Sequence, residues 1–194
     1  MKNHITNLYP RDIQFLTSLS RVGYIDHAQA HTFLRDKRID GYLKDKLLEK
    51  ERVSVPNHRD EDRICYKLSS AGRKLCRNEL NMDYLYHTQS PVHDLALADK
   101  YFSLTAVERA TWRTETEVRE IFEENLRQME QVEASRLRKD LEQGRLSMPD
   151  AIYTTSEHEE VAFEVVTSNY GTAEIEAKMA AASLLSCRYE EERV

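Results

Sequence analysis

Apolar residues recur at helical spacing near the start of the chain. Ile13, Leu16 and Leu19, joined by Phe15, follow Pro10, a residue suited to a first helical turn, and predict a helix over 10–20. Gly23 breaks that pattern, and Tyr24 and Ile25 read as a short extended bridge into the core. Asp26 suits an N-cap for a second helix over 27–34, with Ala30, Phe33 and Leu34 on one stripe. A third helix is expected over 38–50, its buried face built from Ile39, Tyr42, Leu43, Leu47 and Leu48. The period then falls to two. Val53 and Val55 alternate, a polar turn follows at Pro56-Asn57 and HRDEDR, and Ile64, Tyr66 and Leu68 alternate again, which predicts a β-hairpin. Ser69 or Ser70 caps a closing helix over 71–80.

A polar, aromatic connector over 81–91 leads to a second pattern. Leu95, Leu97, Ala98, Tyr101 and Phe102 form a helical stripe, and Trp112 lies in the join beyond it. The charged stretch over 115–142 carries Val118, Ile121, Phe122, Leu126 and Met129, then Leu137 and Leu141, and fits one or two helices ended by Gly144. Ile152 and Tyr153 start a strand, a turn falls on Ser156-Glu157-His158-Glu159-Glu160, and Val161, Phe163 and Val165 alternate in a second strand. A last helix is expected over 173–187, with Ile175, Met179 and Leu184 or Leu185 facing inward.

Charge divides the chain in the same place. Up to Val92 there are 16 Lys and Arg against 12 Asp and Glu; from His93 onward there are 12 against 22. A basic front and an acidic back follow, although the net charge of the whole is −6. Cations gathered on one face of the front would bind phosphate regardless of the total, whereas the back is a poor phosphate binder by its field. Five Gly and four Pro in 194 residues argue against a turn-dense all-β fold. Cys65, Cys76 and Cys187 lack paired zinc-site spacing and read as reduced thiols of a cytoplasmic protein. No apolar run is long enough to span a membrane, and the N-terminus has no apolar export segment.

The order helix, helix, helix, hairpin, helix, with YLKDKLLEKERVSV followed by RICYKLSSAGRKL, resembles the winged helix-turn-helix. That resemblance implies a DNA-binding domain over 1–85 whose third helix presents its leading end to the major groove. Arg35, Lys37, Arg38 and Lys44 are the candidate phosphate and base contacts, although Asp36, Asp40 and Asp45 lie among them. Arg59 and Arg63 are candidates in the wing, and Arg73 and Lys74 on the closing helix. Tyr42 belongs to the core.

The further order His93-Asp94-Leu95, then MPDAIY, then FEVVT, then a helix carrying Lys178, is similar to the replication-relaxation family of plasmids and mobile elements. The resemblance implies an α+β, helix-rich chain in which the winged helix is followed over 92–194 by a small α/β domain resembling a PD-(D/E)xK nuclease core, or serving dimerisation or a partner. It places Asp150 and Glu164 on adjacent strands as candidate catalytic and metal-binding acids, with Glu117 or Glu120 as a third. Val166 stands where the nuclease pattern has Lys, so the ammonium that stabilises phosphate charge is missing unless Lys178 replaces it. The reading is therefore a sequence-specific, homodimeric binder of double-stranded DNA. It would be an accessory factor in plasmid replication or mobilisation, working with a relaxase or replication protein, or a transcriptional regulator, and it needs no cofactor. One alternative is an Mg²⁺-dependent endonuclease using Asp150 and Glu164; another is a winged helix that binds only protein. His93, beside a helix start, reads as structural. His27, His31 and His58 show no ligand geometry.

Overall fold

A computed structural model describes residues 4–54 and 62–194. The turn expected at Pro56-Asn57, and with it Arg59 and His58, lies outside the described residues. The chain is an α+β, helix-rich protein with two small sheets, divided into compact units Met1–Phe102 and Ser103–Val194. Among the described residues no helix is long and apolar enough to cross a membrane.

In the first unit the elements run α1 (Pro10–Val22), β1 (Tyr24–Asp26), α2 (His27–His31), α3 (Asp36–Lys44), β2 (Leu48–Val53), β3 (Arg63–Leu68), α4 (Ser70–Leu80) and α5 (Pro91–Ser103). Pro10 opens α1, the Asp12 carboxylate accepts the Tyr9 N–H at 2.8 Å, and Phe15, Leu16, Leu19 and Val22 form the buried stripe. Gly23 stops the helix at φ +80°, donating its N–H to the Leu19 carbonyl. Asp26 caps α2 reciprocally: its carboxylate accepts the Gln29 N–H at 2.7 Å, and the Gln29 side chain accepts the Asp26 N–H at 2.9 Å. Ser69 caps α4 by accepting the Gly72 N–H. Gly72 is required there because a Cβ would lie 2.1 Å from the Leu47 carbonyl oxygen.

The second helix ends at His31, short of the expected residue 34, and two further expectations change. The third helix ends at Lys44, not Lys50, because Lys46 turns into the left-handed region and the chain enters β2. Leu48 then pairs with Leu68 across the sheet and no longer follows the helical stripe. The sheet is antiparallel in the order β1-β3-β2, so the bridge at Tyr24 and Ile25 is its third strand. Secondly, α5 belongs to the first unit, which moves the boundary from the expected 85–92 connector to the residue after Phe102. Leu95 is fully buried against Tyr24, Val53 and Cys65, and Phe102 meets Phe33 with ring centroids 5.9 Å apart.

The second unit contains α6 (Ala106–Ala110), β4 (Arg113–Thr114), α7 (Glu115–Gln128), α8 (Gln131–Glu142), β5 (Ala151–Thr154), β6 (Glu160–Val166), α9 (Thr172–Leu184) and β7 (Arg188–Arg193). Its sheet runs β4-β5-β6-β7, antiparallel except for the parallel β6–β7 pair that α9 connects. A parallel pair requires such a crossover. The core joins Val118, Phe122 and Leu126 of α7, Leu137 of α8, Ile152, Ala162 and the small residues Ala181 and Ala182 of α9. Met179 and Leu184, expected to face inward on the last helix, are exposed, because α9 buries Ala177, Lys178, Ala181 and Ala182 instead; two further features depart from expectation. β6 is buried on both faces from Val161 to Val166, not only at alternate positions. β7 falls in the charged run RYEEER, which the sequence pattern left without an element; charged side chains suit its place at a sheet edge.

Candidate functional site

Helix α3 sets out the cations of the first unit. Ile39 and Tyr42 turn inward, so Lys37 and Lys44 fall on the solvent side, with Arg35 immediately before the first turn. These three are exposed and have no ion-pair partner among the described residues. With Arg11 they line a concavity of about 1000 Å³ whose other wall includes Ile5 and Phe33. The segment before α1 is pinned across α3. The His4 and Ile5 N–H groups both donate to one Asp45 carboxylate oxygen at 2.7 Å, and these bonds outweigh desolvation to hold that acid below its usual range. Gly41 leaves room for Ile5, whose Cδ1 lies 3.1 Å from where a Cβ would stand.

The other candidate cations have different duties. Arg38 lines the same concavity, but its guanidinium is held by both oxygens of buried Asp12 at 2.8 Å and donates to the Asn7 carbonyl at 2.6 Å. The Tyr42 hydroxyl also donates to Asp12, at 3.0 Å. Burial works to raise the Asp12 carboxyl, yet the Arg38, Tyr9 and Tyr42 bonds hold it below the ordinary value. Arg38 is thus a clamp between α1 and α3. Arg63 does not reach out from the wing: it pairs with Asp26 and with Asp99, the latter at 2.7 Å, and ties β3 to β1 and α5. Arg73 donates to the carbonyls of Tyr86 and Leu85 at 3.2 and 3.4 Å. Lys74 is exposed on α4. No sequence signal marks Arg38 or Arg63 as structural, because their acids lie 26 and 36 or more residues away.

In the second unit Asp150, immediately before β5 and not on the strand itself, lies beside Glu164 of β6, which Lys178 of α9 also meets. The Asp150 N–H donates to Glu164 at 3.0 Å, the Val165 N–H donates to Asp150 at 2.9 Å, and Lys178 Nζ lies 2.9 Å from Glu164 Oε1 and 2.8 Å from the Met148 carbonyl. Relative exposures are 1%, 0% and 7%. Desolvation, reinforced by the Asp150 charge, pushes Glu164 up to about 7. The Glu117 carboxylate closes the capping box of α7, accepting from the Thr114 N–H and hydroxyl. Glu120 is exposed. An Mg²⁺ ion keeps several waters in its shell. Two carboxylates buried to this degree and bonded to backbone N–H groups do not fit such an ion.

His93 is buried, with Nδ1 3.2 Å from Asp94 Oδ1 and 3.4 Å from the Tyr86 hydroxyl, consistent with a structural role. The three cysteines are free, and burial pushes Cys76 and Cys187 up to about 11, away from nucleophilic chemistry. One expectation about histidines is overturned. The first turn of α3 brings Asp36 beside His27 and His31, with the three ligand atoms all within 4.8 Å of one another; among the described residues no other group of three or more His, Cys, Asp or Glu side chains is gathered so closely. Comparison with protein-family models, with curated proteins and with solved structures finds no match.

Proposed function

We propose that the first unit is a winged helix that binds duplex DNA through α3. Three features support the reading: the order α1-β1-α2-α3-β2-β3-α4, the antiparallel sheet in which β2 and β3 form the hairpin, and the excess of cations up to Val92. The observation that carries it is the separation of duties on α3. Arg38 is bound to Asp12, while Arg35, Lys37 and Lys44 remain exposed around one concavity. An α-helix is about 10–12 Å across with its side chains, which a major groove about 12 Å wide admits. In this reading Arg35, Lys37 and Lys44 contact phosphates and base edges, and Lys74 is a further backbone contact. The protein acts as a homodimeric accessory factor in replication or mobilisation of a plasmid or other mobile element, with a relaxase or replication protein as partner, or as a transcriptional regulator. The second unit supplies a dimer or partner surface; the burial of Asp150 and Glu164 speaks against a nuclease.

Fluorescence anisotropy on fragments of the native element at two salt concentrations tests this. Retention that weakens with salt, and is lost in Lys37→Glu/Lys44→Glu, is expected. No retention on any fragment would refute it. Asp36 and Asp40, exposed on the same helix, favour a protein-binding winged helix as the second reading. In that case the double reversal leaves DNA behaviour unchanged and partner binding intact.

A further inference from the structure

We propose that His27, His31 and Asp36 form a binding site for a single transition-metal ion of the Zn²⁺ class. The site does not depend on the DNA reading. His27 and His31 are one helical turn apart, so α2 presents both imidazoles on one side, with ring centroids 4.3 Å apart. Asp36, in the first turn of α3, places Oδ1 2.9 Å from His31 Nε2 and 3.6 Å from His27 Nε2. The three ligand atoms all lie within 4.8 Å of one another. Ligands around a tetrahedral Zn²⁺, at bonds of about 2.0–2.1 Å, stand roughly 3.3 Å apart. The two His–Asp pairs bracket that spacing, and the two imidazole nitrogens lie within 4.8 Å of each other, a gap that turning the side chains can close around an ion.

The surroundings also suit a metal. Tyr66, 2% exposed on β3, sits 2.8 Å from His27 Nδ1. In the ligating tautomer Nδ1–H donates to the Tyr66 oxygen and Nε2 turns its lone pair to the ion, the kind of support that orients metal-bound histidines. Two imidazoles and one carboxylate select zinc, cobalt, nickel or copper over magnesium or calcium, which prefer oxygen donors. Asp36, with its side chain 71% exposed, leaves the fourth position to water. The ion would join α2 to the leading turn of α3.

The test uses the full chain after removal of metal with EDTA. Zn²⁺ is titrated calorimetrically, and Co²⁺ is followed by its visible absorption. One equivalent per chain is expected, with the absorption of a four-coordinate N/O site. His31→Ala should lower affinity at least tenfold, and Tyr66→Phe by about tenfold. Asp36→Asn, isosteric and exposed, provides a second ligand variant should His31→Ala misfold. A His4→Ala/His87→Ala/His158→Ala/Cys187→Ala variant should bind as the parent does. Absence of binding, or equal affinity and stoichiometry in the ligand variants, would overturn the proposal.

Discussion

Lys178 Nζ lies 2.9 Å from Glu164 Oε1 in the interior of the second unit, joining α9 to the central strand β6. Removing one partner of a buried pair leaves the other charge uncompensated, at a cost of about 3–5 kcal/mol. Above the Glu164 value of about 7, where that carboxyl is ionised, Lys178→Met should therefore lower the stability of this unit by about that amount. Lys178→Met/Glu164→Leu should recover much of it. Trp112, the single tryptophan and 2% exposed, reports unfolding of the second unit alone, so urea titration followed by its fluorescence checks both outcomes.

The same group gives a pH dependence with a defined sign. Burial and the neighbouring Asp150 raise Glu164 from 4.5 to about 7. In the unfolded chain the carboxyl releases its proton near the ordinary value, while the folded chain holds it until about 7. The folded state thus binds more protons in this window, and the stability of the second unit should fall as pH rises through it. Glu164→Gln should flatten that slope. Urea midpoints from Trp112 fluorescence at about pH 5 and about pH 7.5 decide the matter; an unchanged slope in the variant would assign the effect to other groups.

Stability and DNA binding should separate on α3. Arg38→Ala strips buried Asp12 of its counter-charge and should destabilise the first unit by about 3 kcal/mol. Because Asp12 is held below its ordinary value of 3.8, its contribution is complete at neutral pH and is lost as pH falls below that value. Lys37→Glu and Lys44→Glu, on the exposed side, should each change stability by no more than about 0.5 kcal/mol. Amide hydrogen exchange in α1 and α3 measures the first effect, and anisotropy the loss of DNA retention.

Gly23→Ala should loosen α5. The backbone there has φ +80°, and an added Cβ would stand 2.6 Å from Asp94 Oδ2 and 3.0 Å from Tyr86 Cδ1. Strain of this kind costs about 1–3 kcal/mol. The expected readout is faster limited proteolysis in the connector over 81–90, with Trp112 fluorescence unchanged.

The local elements were legible where each is governed by contacts within a turn or a pleat. Leu16 and Leu19 with Phe15 on α1, the cap at Asp26, and the strand carrying Ile64, Tyr66 and Leu68 follow from spacing, whereas Ile13, expected on the α1 stripe, is exposed, and the choice of Ser69 over Ser70 as the α4 cap came only from the structure. The third helix failed at its end because Leu47 and Leu48 satisfy helical spacing as readily as a strand start, and pairing with Leu68 decides between the two. β7 was hidden because parallel pairing with β6 depends on backbone groups, which the charged side chains of RYEEER do not disclose.

By itself the sequence determined the helix-rich α+β character and the basic front and acidic back. Tertiary structure alone decided which cations face solvent and which are clamped by Asp12, Asp26 and Asp99. It likewise decided that α5 packs on the first sheet, and that Asp36 meets two histidines. The physical reason is range. Periodicity and capping are short-range and are written into neighbouring residues. An ion pair such as Arg38–Asp12 joins residues 26 positions apart and exists only once the chain path has brought them together.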